Sequence, residues 1–226
     1  MTRTTNARIA GFTFLIYIAV GITSMVLTGR ATTGQGTAAQ LATIAQHSTD
    51  VRLTILLTLV MNLSAIVLGV TLYAITRDQD RDLAMLGLTC RVAEGIAGMD
   101  VSGTLGLLWL AAGTDPPAVS GGEASVLGAY FLKMGQTMGA SATFFALGST
   151  FFSWLLLRGR MIPVPLGWLG VIASVLLVVC CPLVLAGLLR GPVTTYMWLP
   201  MLLFEVALAL WLIIKGVSAP ALIRAS

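Results

Sequence analysis

The stretch IAGFTFLIYIAVGITSMVL, Ile9–Leu27, decides how the chain is to be read. A helix over it, at about 1.5 Å per residue, reaches roughly 28 Å, close to the thickness of bilayer hydrocarbon. Arg3 and Arg8 in front of it give the basic flank of a signal peptide. The apolar run is too long for such a leader, however, and no small-x-small cleavage pattern closes it. The stretch is expected to be a first membrane span.

Five further apolar runs follow, at Leu53–Ala74, Leu83–Ala111, Ala124–Leu157, Leu166–Leu189 and Tyr196–Ile214. Polar or Pro/Gly-bearing segments separate them. With 57% hydrophobic and only 10% charged residues, most of the chain cannot face water. The expected fold class is all-α: a polytopic six-transmembrane-helix bundle forming a single domain over residues 1–226. The run Ala124–Leu157 would be about 50 Å as one helix, more than one span needs, so its outer end is expected to tilt or project. The outer end of the third helix is longer than the bilayer requires in the same way.

The basic residues report orientation. Arg3, Arg8, Arg77, Arg81, Arg158, Arg160, Lys215 and Arg224 fall on one side of such a bundle, and Arg30, Arg52 and Arg190 on the other. The richer side is expected to be cytoplasmic, which puts both termini inside (N-in/C-in). The longest connection, Thr28–Arg52, contains TAAQLATIAQHSTD and is expected to hold a short outer helix, a lid or a cap. The connection Ala112–Glu123, with TDPPAVSGGE, reads as a plain turn-rich loop. Pro163 and Pro165 mark a turn before the fifth helix, whereas Pro182 lies inside that helix as a kink or hinge.

Several chemistries find no residues to carry them. The net charge of +4 comes without any Lys/Arg block, so no nucleic-acid partner is implied. With His47 as the single histidine and no Cys-x-x-Cys, neither a zinc site nor bis-histidine haem can be assembled from one chain. Cys90, Cys180 and Cys181 are expected to be free thiols. No glycine-rich phosphate loop and no serine–histidine pair is present, and no cofactor, metal or catalytic residue is expected.

Charged residues in hydrocarbon cost a few kcal/mol each, so Arg91, Glu94 and Glu205 carry the most information. By helical rise, Arg91 lies about 12 Å deep, Glu94 about 16 Å and Glu205 about 15 Å. Tyr17, Asn62 and Ser149 fall at similar depths, and one layer could hold all six as a ligand or ion site. Arg91 and Glu94, three apart, share a helix face and can pair, with Glu205 the expected second partner of the guanidinium. One arginine against two glutamates leaves a surplus negative charge, so one carboxyl is expected to hold a proton or attract a cation. The competing expectation is a satisfied polar network that fixes helix register. Near the outer face, Asp100 and Lys133 could pair. His47, Asp50 and Arg52 are candidates for an outer-face cap or anion site, and a helix-start cap is the plainer expectation. Gly95, Gly98 and Gly103, with Gly135 and Gly139 as a GxxxG, supply close-packing positions.

The segment FFALGSTFFSWLLLRGRMIPVPLGWLGVIAS, Phe144–Ser174, carries Arg158, Ile162-Pro163 and the Leu-Gly-x-Leu-Gly of Leu166–Gly170. With ARIAG at Ala7–Gly11 and the Arg91/Glu94 pair, it resembles a bacterial integral membrane family of unknown function, domain of unknown function 4386. The resemblance implies six helices and assigns no activity or catalytic residue. Where that family commonly has Pro-Arg, this chain has Pro163-Val164. Three function classes follow from the residues. The first is an inner-membrane protein that binds or transports a small molecule or ion through the buried polar site, with a second copy of the chain as a candidate partner. A regulatory or scaffold protein with a purely structural network is the second, and an intramembrane lipid-acting enzyme ranks last. Beyond the lipid bilayer and a second copy of the chain, no partner is specified.

Overall fold

The computed structural model describes residues 2–113, 121–136 and 139–218. Ten helices and no strand occur among the described residues: α1 (Arg3–Ala31), α2 (Thr37–Gln46), α3 (Ser48–Thr76), α4 (Arg81–Gly98), α5 (Ser102–Ala112), α6 (Gly121–Gln136), α7 (Ala140–Arg158), α8 (Val164–Leu185), α9 (Val193–Tyr196) and α10 (Leu199–Ile214). Six stretches are long and apolar enough to cross a membrane: α1, α3, α4 with α5, α7, α8, and α9 with α10. The short helix expected between the first two spans is α2. Residues 114–120, most of the loop read over Ala112–Glu123, and Arg224 with the end of the chain lie outside the described residues.

One expected element is corrected. The single helix read over Ala124–Leu157 is two helices, α6 and α7, and of the two only α7 is long and apolar enough to cross a membrane. Gly139 leaves helical geometry there (φ −77°, ψ 171°), so the GxxxG of Gly135 and Gly139 is not a continuous packing stripe. Glycine weakens a helix by about 1 kcal/mol relative to alanine, and apolar neighbours hide that weakness from a hydropathy reading. The third span is also interrupted. The Asp100 carboxylate accepts from the Ser102 backbone N–H (2.9 Å) and hydroxyl (2.6 Å), which competes with continuation of the helix. α8, by contrast, runs on through Pro182 to Leu185.

The chain forms two compact units. The first comprises Met1–Tyr17, Asn62–Gly98 and Met138–Ser226; the second comprises Ile18–Met61 and Met99–Thr137. In the first, α7 packs on α4 and α8, and α8 on α10, around buried Phe14, Leu72, Phe152, Leu177, Phe204 and Leu208. Two glycines of the Leu-Gly-x-Leu-Gly segment allow this. A Cβ at Gly167 would stand 2.9 Å from the Leu157 side chain, and one at Gly170 would stand 2.5 Å from the Phe204 ring. Ahead of them, Arg160 takes a left-handed backbone (φ 50°) that turns Met161 and Ile162 into the core. The Ser218 N–H then donates to the Met161 carbonyl (3.1 Å), pinning the segment after α10 to the same turn.

Ion pairs gather the other chain segments at this end of the first unit. Arg3 meets Asp78 at 2.7 Å, and Arg158 meets Asp80 at 3.5 Å, so the α3–α4 turn holds the start of α1 and the end of α7. Asp80 also accepts the Leu83 N–H at the start of α4 (3.1 Å). These basic segments are among those that the positive-charge count assigns to one side. In the second unit, α2 packs on α5 and α6 around Ile44, Val51, Leu107 and Leu132.

Candidate functional site

The buried polar cluster lies wholly within the first unit and is built from α1, α4, α7 and α10. Arg91 is 1% exposed and stands on α4 with Glu94 one turn further on. Its Nη1 donates to Glu94 Oε2 at 2.9 Å, the pair expected from the three-residue spacing. Its Nη2 donates to the Ser149 hydroxyl on α7 at 3.0 Å and lies 3.8 Å from Glu205 Oε1 on α10. Glu94 is held from a third direction, since the Tyr17 hydroxyl on α1 donates to its Oε1 at 2.9 Å. Four helices thus converge on one guanidinium and its carboxylate.

Close backbone approach makes this convergence possible. A Cβ at Gly69 on α3 would stand 2.8 Å from the Arg91 Cβ, and one at Gly148 on α7 would stand 3.3 Å from the Arg91 Cγ. Small residues on both flanking helices let the long side chain lie between them. The Phe145 ring closes one face of the guanidinium, with 4.7 Å between its centroid and Arg91 Cζ. Tyr17 stacks on Phe145 (6.3 Å, 6°), and Trp198 packs against it (5.9 Å, 47°). The attraction of a cation to an aromatic face is stronger where water is excluded.

Five of the six predicted layer residues therefore meet: Tyr17, Arg91, Glu94, Ser149 and Glu205. Asn62 is engaged at the end of α4, where its Nδ2 donates to the Gly98 carbonyl at 2.8 Å. A Cβ at Gly98 would land on the Asn62 amide, so the pairing needs glycine there. Depth along the membrane was readable for Asn62; its direction around the helix axis was not. Phe145 was missed because an apolar residue in an apolar run carries no separate signal. Ser153 was missed as one small polar residue among several, although it sits one turn beyond Ser149.

Ser153 matters because it lines a small cavity of about 10 Å³ together with Arg91, Ser149 and Glu205. Apolar side chains, among them Phe14, Leu72 and Phe204, form the rest of its wall. That volume is room for about one water. Glu205 is 5% exposed, and among the described residues its Oε1 has no hydrogen-bond partner. The Arg91 Nε is likewise without a partner. The charges on this site are one guanidinium against two carboxyl groups, with the phenol of Tyr17 bonded to Glu94 and the Cys90 thiol next to Arg91 in the chain.

The predicted outer-face residues do not assemble in this way. The His47 Nδ1 lies 3.0 Å from the Thr43 carbonyl, and Asp50 occupies the first turn of α3. Among the described residues no hydrogen bond or ion pair joins His47, Asp50 and Arg52. Cys90, Cys180 and Cys181 are free thiols.

The Tyr17 hydroxyl gives the cluster a direct test. Tyr17→Phe keeps the ring on Phe145 and removes only the donor to Glu94. A loss of about 1 kcal/mol is expected, in the range of hydrogen bonds between membrane helices. Thermal unfolding in detergent measures it, and unchanged stability would show that the bond contributes nothing.

The span lengths, apolar composition and charged core define a class: an all-helical chain of the multi-pass membrane type, built around a buried arginine–glutamate cluster. The family model described as Domain of unknown function (DUF4386) matches residues 9–216, and the chain belongs to that family. No curated protein and no solved structure matches the chain. The segments that carried the resemblance now have physical roles. Ala7 and Ala10 of ARIAG are fully buried, and Gly167 and Gly170 are contact points. Val164, beside Pro163, is exposed at the start of α8.

Proposed function

We propose that the protein is a multi-pass component of the bacterial inner membrane, with both termini cytoplasmic, whose buried cluster binds and releases a proton at Glu205. The carrying observation is the buried Glu205 oxygen without a hydrogen-bond partner, on the wall of a cavity sized for one water. One guanidinium cannot neutralise two carboxylates in a site closed off from bulk water, and a proton on Glu205 supplies the missing positive charge. A bound water between Glu205, Ser149 and Ser153 would give that proton a hydrogen-bonded partner. A metal cation fits less well, because its oxygen donors would be few and Arg91 stands beside it. An organic solute would need far more space than about 10 Å³. The orientation rests on the distribution of Lys and Arg.

Glu205→Gln separates this reading from its rival. Glutamine keeps the shape and can still bond to Arg91 and the serines, so the fold is expected to survive. Infrared difference spectra of the reconstituted protein are expected to show a carboxylic-acid carbonyl band that comes and goes with pH, and that band should vanish in the variant. A band that persists in Glu205→Gln, or its absence from the parent at every pH, refutes proton binding at this residue. The rival, a purely structural network, is favoured by the closure of Arg91 between Glu94, Ser149 and Phe145. It requires that Glu205→Gln change stability and leave no pH-dependent property to lose.

A further inference from the structure

The second unit carries a groove unrelated to the charged cluster. It is walled by Arg52, Ile55 and Leu56 on α3 and by Leu105, Leu108 and Trp109 on α5, and its volume is about 550 Å³. Leu56, Leu105 and Trp109 are 59%, 52% and 49% exposed, an apolar surface suited to lipid chains. The size lies within the range of roughly 300–1,000 Å³ typical of ligand clefts. Among the described residues the charged one on its wall is Arg52, placed immediately before the apolar run that starts at Leu53. Arg52 is exposed, and no hydrogen bond or ion pair engages its guanidinium among the described residues.

We propose that this groove is a phospholipid site: an acyl chain lies along Ile55, Leu56, Leu105, Leu108 and Trp109, and the lipid phosphate sits on Arg52. The charge pattern selects this occupant. A long apolar wall ending in one unengaged cation matches an amphiphile with an apolar tail and an anionic head. Arginine binds phosphate through two parallel N–H donors, and tryptophan is favoured where hydrocarbon meets headgroups. The proposal is independent of proton binding at Glu205, because no groove residue belongs to that cluster.

Native mass spectrometry of the full-length protein, delipidated in detergent and titrated with phosphatidylglycerol, provides the test. One high-affinity lipid per chain is expected. Arg52→Gln should weaken it about fivefold, the equivalent of roughly 1 kcal/mol for one basic residue at a lipid headgroup. Diacylglycerol, which has the tails without the phosphate, should bind the parent and Arg52→Gln alike. Ala112→Trp, which fills the groove from its own wall, should block both lipids while the unfolding temperature stays at the parental value. Equal phosphatidylglycerol affinity in the parent, Arg52→Gln and Ala112→Trp would overturn the proposal. So would a chain–chain crosslink between cysteines placed at Leu56 and Leu105 of different copies, since a second copy would then occupy the groove.

Discussion

Arg91→Met is expected to yield little or no assembled protein. Without the guanidinium, Glu94 and Glu205 are left buried with no counter-charge, and Ser149 loses its donor. Breaking a buried ion pair from one side costs about 3–5 kcal/mol, a large share of the roughly 5–15 kcal/mol that holds an ordinary domain together. The informative companion is the triple variant Arg91→Met, Glu94→Gln, Glu205→Gln. Removing every charge at once leaves polar groups that can pair, so most of the lost stability should return. Size-exclusion profiles and thermal unfolding in detergent read both variants. If Arg91→Met is as stable as the parent, the cluster does not hold the helices, and the convergence of α1, α4, α7 and α10 needs another cause. If the triple variant is stable yet lacks the pH-dependent carboxyl band, structure and proton binding have been separated in one molecule.

The second large effect is expected at Gly11→Leu. A Cβ there would stand 2.7 Å from the Ala209 carbonyl oxygen and 2.7 Å from Ile213 Cγ1. A side chain can change rotamer, but the α10 backbone cannot move aside without separating from α1. Over-packing of a well-filled core costs about 1–3 kcal/mol, and a backbone obstacle places this variant at the upper end or above. Gly29→Leu is the control on the same helix, because a Cβ at Gly29 would meet nothing within 4 Å. Unfolding temperatures should fall sharply for Gly11→Leu and stay near the parental value for Gly29→Leu. Equal behaviour of the two variants would show that the α1–α10 contact is looser than its geometry indicates.

How far the molecule was legible in its sequence follows from what each solvent forbids. An uninterrupted apolar run of about 20 residues crosses hydrocarbon as a helix, so the six spans could be counted from residue runs such as Ile9–Leu27 and Leu53–Ala74. It also penalises charge, so Arg91, Glu94 and Glu205 stood out against their neighbours, and counting rise per residue placed them at one level. That count has no angular component. It put Asn62 with the others, although this side chain turns to the Gly98 carbonyl. Nor does hydropathy register a break inside an apolar run, which is why Gly139 divides a stretch that reads as one helix. The Phe145 face and the small cavity beside Ser153 were illegible for a related reason, since both arise only when distant segments pack.

The arrangement of the Arg91 partners also bears on how the chain enters the membrane as it is made. Inserting an arginine at the centre of a span costs about 2.5–3.5 kcal/mol on scales derived from translocation. Glu205, on the last span, is synthesised long after α4 has left the ribosome. Glu94 is present from the outset, one helical turn away and already within bonding distance of Arg91. Arg91 therefore travels into the bilayer with its counter-ion aboard, and the segment behaves at that stage as a nearly neutral helix. Ser149 arrives with α7, and only the final helix brings the second carboxyl. The order of synthesis thus delivers the second carboxyl last, when α1, α4 and α7 have already been made.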